Sequence, residues 1–138
     1  MKKPIVAFLY DFDKTLCTTD MEDYSFIPAV GMTPDAFWNV ANTFGRENRM
    51  DSVLAYMYTM IEQCRLRGIR LDREFLRRCG EAVELFPGVR EWFGRINRAG
   101  EALGLQVEHY VLSSGLREII EGTGIFRDIH LTGPAEFC

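Results

Sequence analysis

The chain has 138 residues, 47% of them hydrophobic, and a formal charge of −4 from 16 basic and 20 acidic side chains. That is one modest domain with enough apolar material for a core, and its 13 arginines are mixed among the acids without a basic stripe, which argues against a nucleic-acid partner. No apolar run is long enough to span a bilayer, and Met1-Lys2-Lys3 passes straight into an apolar run without a secretory pattern, so a cytoplasmic protein with no membrane partner is expected.

Residues 4–10 form an apolar run with β-branched and aromatic members and no polar alternation. This predicts a strand buried on both faces, central in a parallel sheet. It leads into Asp11-Phe12-Asp13-Lys14-Thr15. On an extended backbone Asp11 and Asp13 would point the same way, about 7 Å apart, with Phe12 turned into packing. Two like charges so placed need a cation or a proton. The carboxyl end of a central strand is where open α/β sheets keep their ligand sites. The same residue types also suit an Asp-rich turn that caps a following helix.

The segment 17–85 is far longer than a crossover requires, which predicts an insert, and it reads as helical. Thr33-Pro34-Asp35 opens a helix over 36–44. Asp51 caps a longer helix from Ser52 to about Arg67, with Val53, Leu54, Met57, Met60, Ile61 and Cys64 on one face and Gly68 at its end. Asp72 opens a third, carrying Phe75, Leu76 and Val83. Asp20, Glu22, Asp23 and Tyr24 follow the Asp-x-Asp motif closely enough to line the mouth of a site, and Arg46 or Arg49 could meet an anionic group. Phe37, Trp38, Phe44, Tyr56 and Tyr58 read as the core of the insert.

Phe86-Pro87-Gly88-Val89 returns the chain to a helix entry, and residues 106–112 predict a second strand. That strand runs into Ser113-Ser114-Gly115 and a helical pattern over 116–122. A strand, a small polar turn and a helix start offer a hydroxyl and unpaired N–H groups to a phosphate; Ser before a helix is equally an ordinary N-cap. Residues 127–132 predict a further short strand. Cys17, Cys64, Cys79 and Cys138 have no close pairing and read as reduced thiols, and His109 and His130 read as structural.

Asp11-x-Asp13-x-Thr15 after an apolar strand, with Ser113 ending a second one, resembles the first two motifs of the haloacid dehalogenase-like (HAD) hydrolase superfamily. Ser113-Ser114-Gly115-Leu116-Arg117 is similar in particular to its phosphoserine-phosphatase-like branch. The resemblance implies an α/β fold: a three-layer Rossmann-like core with a parallel, incomplete sheet over 1–16 and 86–138, and an inserted all-helical cap over 17–85. It implies Asp11 as a nucleophile that takes a phosphoryl group, and Asp13 as the acid and base that protonates the leaving oxygen and later deprotonates water. Mg2+ would be held by Asp11 and the backbone carbonyl of Asp13. Thr15 would hold the loop, and Ser113, Ser114 and Gly115 would seat the phosphate of a small phosphorylated metabolite. The second aspartate separates phosphatases and phosphomutases from carbon–halogen cleaving members, which typically lack it.

The family's later motifs supply a lysine and an acidic pair after the Ser motif. Here the lysines are Lys2, Lys3 and Lys14, and no adjacent acidic pair follows Ser113. A phosphate dianion against Asp11 and Asp13 without positive charge costs several kcal/mol in a partly dry site. The expectation is therefore a Mg2+-dependent phosphatase represented by an N-terminal portion with little or no activity. An incomplete sheet leaves an edge that a second copy could pair with, giving a homodimer. Other readings are a non-catalytic phosphate-binding or interaction module on the same fold, another phosphotransferase or phosphomutase of the superfamily, and a receiver-type phosphoacceptor. The last is opposed by the long insert.

Overall fold

The structure, a computed structural model, describes residues 2–132. Cys138 and the end of the 86–138 segment lie outside the described residues. In chain order the elements are β1 (Ile5–Tyr10), α1 (Phe26–Ala29), α2 (Pro34–Glu47), α3 (Ser52–Arg67), α4 (Arg73–Glu81), α5 (Val89–Ala102), β2 (Gln106–Leu112), α6 (Arg117–Glu121) and β3 (His130–Thr132). The three strands form one parallel sheet in the order β1-β2-β3. The chain is thus an α/β protein with a small parallel sheet and a run of helices inserted after the first strand.

The helices begin and end where local chemistry dictates. Thr33 caps α2 by accepting from the Ala36 N–H at 3.2 Å, with Pro34 in the first turn where its missing N–H costs nothing. Asp51 accepts from Val53 and Leu54 at the start of α3, and Gly68, at φ 65°, ends it in the left-handed conformation. Asp72 accepts from Phe75 at 2.8 Å to start α4. α2 runs three residues past the predicted end at 44. The predicted strand over 127–132 is shorter than expected: Phe126–Asp128 is a 3-10 turn, and only the last three residues pair with β2.

The largest departure from the sequence reading is at β1. Its pattern is exposed rather than buried on both faces, with Ile5 59%, Val6 38% and Leu9 65% accessible, and it lies at an edge of the described sheet rather than in its centre. The cause is topological. Both crossovers advance in the same direction, from β1 to β2 to β3, and right-handed crossovers in one direction lay their helices on one face. In register, Phe8 lies opposite His109 and Tyr10 opposite Val111, and these residues meet α5. The opposite face, carrying Ile5, Leu9 and Leu112, is left without a covering layer among the described residues.

The covered face holds a closed hydrogen-bond chain. Trp92 Nε1 donates to the Tyr10 hydroxyl at 2.8 Å, Tyr10 meets His109 Nδ1 at 2.8 Å, and His109 Nε2 meets Asn97 Oδ1 at 2.8 Å. With Nε2 donating to the amide oxygen and Nδ1 accepting from Tyr10, the imidazole is satisfied while neutral. Burial lowers its pKa in the same sense. His109 is structural, as its isolation in the sequence suggests.

The insert and the sheet share one apolar core. Phe12, Met21, Phe26, Phe37, Met60, Phe93, Leu116 and Ile119 are all fully buried within it. The chain leaves and re-enters the sheet region through paired segments: Cys17 bridges Leu85, the Thr18 N–H donates to the Glu84 carbonyl at 3.0 Å, and Phe86 to Leu16 at 3.0 Å. α4 packs on α6 backbone to backbone. A Cβ at Gly80 would strike the Ile119 carbonyl, and one at Gly122 the Arg77 carbonyl.

Candidate active site

β1 ends at Tyr10 and the chain turns over 13–16, with Lys14 in the left-handed region at φ 61°. The alternation that would put both carboxylates on one face therefore stops before Asp13. Phe12 is turned inward as expected and is fully buried, anchoring the turn. The two aspartates sit in different surroundings. Asp11 is exposed at the strand's end, its Oδ1 accepting from the Phe12 N–H at 2.8 Å. Asp13 is half-buried, and its Oδ1 accepts from the Met21 N–H at 3.0 Å. Burial pushes the Asp13 carboxyl up to about 6, against the lowering effect of the Met21 hydrogen bond and with smaller upward pushes from Asp20, Asp11 and Asp23.

The strand register brings the second motif beside the first. Tyr10 is level with Val111, so Asp11 and Ser113 leave the same end of adjacent parallel strands, which run about 4.8 Å apart. Ser113 is half-buried and its hydroxyl accepts from the Gly115 N–H at 2.9 Å. The Leu116 N–H points to the Met21 sulfur at 3.2 Å. Gly115 is required here, because a side chain would run into Met21. Two N–H groups of the expected phosphate cradle are thus engaged within the protein, and α6 is a helix of only five residues whose N-cap, Leu116, gives no side-chain cap.

A cleft of about 190 Å³ lies between the insert and the strand ends. It is lined by Asp13, Asp20, Glu22, Trp38, Tyr56 and Ser114 among others. Tyr56 spans it, its hydroxyl donating to the Ser114 carbonyl at 2.8 Å. Glu22 is 1% exposed, and its carboxyl is held well above the ordinary range, first by burial and then by Asp13. Trp38 Nε1 donates to Asp23 at 2.9 Å, and Asp23 also accepts from Thr19 at 2.8 Å, so Asp23 holds the wall rather than facing the cleft. Tyr24 sutures the entry and exit segments, meeting Thr18 at 2.6 Å and the Glu84 carbonyl at 3.2 Å.

Of the residues singled out in the sequence, Asp13, Ser114 and Gly115 share this cleft with Asp20 and Glu22. Asp11, Ser113 and Thr15 are not in its lining: Asp11 is exposed at the end of β1, Ser113 is half-buried after β2, and Thr15 is exposed and lines a separate groove with Tyr10, Trp92 and Arg95. Arg46 lies in a neighbouring groove and bonds Thr43 at 3.3 Å; Arg49 is exposed. Trp38 and Tyr56 belong to the core as read, Tyr56 buried and Trp38 packed against it, and they also line the cleft, their rings 5.7 Å apart and edge to face. Their role was invisible in sequence because Tyr56 reaches a partner 58 residues away. Phe37 is core as expected.

As a metal donor set, the first motif offers two carboxylates, hard oxygen ligands of the kind Mg2+ takes. One or two such groups, together with substrate phosphate and water, are its usual complement. No group of three or more His, Cys, Asp or Glu side chains that could hold an ion occurs among the described residues.

No protein-family model matches the chain, and no curated protein sequence does. Among solved structures it is similar to L-2-haloacid dehalogenase from Xanthobacter autotrophicus with chloropropionic acid covalently bound, at 15% identity over 94% of this chain and 56% of that one, TM-score 0.46. It is also similar to cytosolic 5'-nucleotidase IIIB bound to cytidine, at 18% identity over 99% of this chain and 50% of that one, TM-score 0.44. The chain spans about half the length of these structures.

Proposed function

We propose that the chain carries the nucleophile and acid–base half of a phosphoric monoester hydrolase. The observation that carries this reading is the unequal pair at the end of β1: an exposed Asp11 free to attack, and a half-buried Asp13 whose proton is lost near neutrality. An Asp11 oxygen attacks phosphorus in line, the bond to the alcohol oxygen breaks, and Asp13 gives that oxygen its proton. Asp13, now ionised, takes a proton from the water that cleaves the resulting acyl phosphate, releasing phosphate and restoring Asp11. A group that alternates between acid and base works best with a pKa near the working pH, and burial gives Asp13 such a value. Mg2+ held by Asp11 and Asp13 would supply positive charge against the phosphoryl oxygens. Ser113 would donate to one of those oxygens. The substrate would be a small phosphorylated metabolite.

A cytoplasmic setting is supported by the three buried free thiols Cys17, Cys64 and Cys79. One observation favours a non-catalytic phosphate-binding module instead: the lysine closest in sequence to the aspartates, Lys14, pairs with Asp20 at 3.3 Å. Phosphate release from p-nitrophenyl phosphate with Mg2+, on the wild-type chain and Asp11→Asn, separates the two. Weak release that falls at least tenfold in Asp11→Asn is the expected result. Release untouched by that substitution, or phosphate binding without any release from this chain or a longer product, overturns the hydrolase.

A further inference from the structure

The free side of β1 is apolar and self-complementary. The Gln106 N–H donates to the Pro4 carbonyl at 2.9 Å, which fixes the parity of the ladder: the even-numbered residues of β1 turn their backbone groups to β2. Ile5, Ala7 and Leu9 therefore aim their N–H and C=O groups away from β2, and no strand pairs with them among the described residues. All three are exposed, and no charged residue or proline interrupts the strand. Nothing in its sequence blunts this edge. On the covered side of the sheet, α5 and its C-cap continue the apolar surface. Trp92, Ile96, Ala99 and Leu103 recur at helical spacing, and the last three line a groove with Val6 and Phe8 of β1. Trp92 is 38% and Leu103 75% exposed.

We propose that a second copy of this chain pairs antiparallel with β1 about a two-fold axis at Ala7, so that Lys3 of each copy stands opposite Asp11 of the other. In an antiparallel ladder only residues that aim at the partner strand form the hydrogen-bonded pairs, so the register joins odd numbers to odd numbers. Centred on Ala7, it sets the small Ala7 side chains against each other at the axis and Ile5 against Leu9 on either side. Carried past the strand ends, it sets Lys3 against Asp11. Opposite residues of such a ladder lie about 5.5 Å apart at Cα, within a lysine's reach. A shift of two residues would set Lys3 against Leu9 in one direction and Asp11 against Ile5 in the other. A parallel pairing in register would put lysine by lysine and aspartate by aspartate. Charge and hydropathy thus select one arrangement, and its two-fold symmetry closes the edge. Lys3 lines a groove with Glu101, but neither Lys3 nor Asp11 has an ion-pair partner among the described residues. The pairing stands independently of the hydrolase reading and adds to it a positive charge beside Asp11, which Lys14, paired with Asp20, does not bring.

Sedimentation velocity of the full chain at about 100 μM tests the surface and should show a dimer that dissociates on dilution. Ala7→Pro removes an N–H that β2 does not use, and should give a folded monomer. The charges test the register. Lys3→Asp should weaken the dimer at least tenfold, and Lys3→Asp combined with Asp11→Lys should restore it to within threefold of the wild type. Circular dichroism checks the folding of each variant, and the charge variants, which lie outside β1, decide the matter should Ala7→Pro not fold. A wild-type chain that stays monomeric overturns the proposal, as does a dimer that survives in folded Ala7→Pro. Lys3→Asp that dimerises as tightly as the wild type, or a charge reversal that rescues nothing, refutes the pairing of Lys3 with Asp11.

Discussion

The Tyr56 hydroxyl on α3 donates to the Ser114 carbonyl oxygen on the loop after β2, a 2.8 Å bond between residues 58 apart in sequence. It ties the inserted helices to the loop that carries the second motif. Tyr56 is 7% exposed, and burial raises its pKa far enough that the hydroxyl remains a donor at any ordinary pH. Tyr56→Phe leaves the Ser114 carbonyl without that donor and should cost about 1–2 kcal/mol. Urea unfolding measures this directly, and a loss below about 0.5 kcal/mol would mean that water replaces the hydroxyl at no cost.

Asp13 makes the fold pH-sensitive in a defined direction. Its carboxyl titrates at about 6 in the folded chain against 3.8 in the unfolded one, so between those values the folded state holds the extra proton. Stability therefore falls as pH rises from about 4 to about 6, by at most about 3 kcal/mol. Asp13→Asn keeps the oxygen that accepts from Met21 and cannot ionise. It should be more stable than the wild type at pH 7.5, and its stability should fall less as pH rises; what slope remains combines Glu22, which shifts in the same direction, with His109, which opposes it. Chemical denaturation at pH 4.5 and pH 7.5 decides it: a variant no more stable than the wild type at the higher pH refutes the assignment.

His109 acts with the opposite sense. Burial depresses its pKa below 6.5, so the unfolded chain takes up the proton first and stability is lost as pH falls through 6.5. Tyr10→Phe removes the hydroxyl that accepts from Trp92 and meets His109 Nδ1. It should destabilise by about 2 kcal/mol at pH 7.5 and weaken the acid sensitivity. NMR titration of the His109 ring in both proteins reads the second effect: a pKa unchanged by the substitution would show that the hydroxyl does not hold the neutral form.

Two glycines of the helical insert should respond very differently to alanine. Gly68 is left-handed at φ 65° with open space around its missing Cβ, so Gly68→Ala meets only backbone strain, about 1 kcal/mol. Gly80→Ala places its methyl against the Ile119 carbonyl and should cost about 3 kcal/mol. Melting temperatures rank the pair, and similar losses at the two positions would argue against the close α4–α6 approach.

What could be read from sequence followed the reach of the forces involved. The α3 boundaries lie in Asp51 and Gly68, which act within a turn of their own positions, and β1 lies in an unbroken apolar run. The aspartate pair announced itself because it directly follows such a run. An apolar run does not, however, state what will cover it, so Ile5–Tyr10 suggested a central strand and stands at an edge. The cleft wall was equally hidden. Trp38 and Tyr56 have the composition of core residues, and only packing across the insert brings them into the wall of the cleft as well.

The α4–α6 seam has a mechanical consequence. With carbonyls filling the places where side chains would stand, the two helices have no compressible layer between them and cannot slide. The insert is therefore held at two places by different means: α4 is locked against α6 through its backbone, while the α2–α3 pair reaches the loop after β2 through the Tyr56–Ser114 bond.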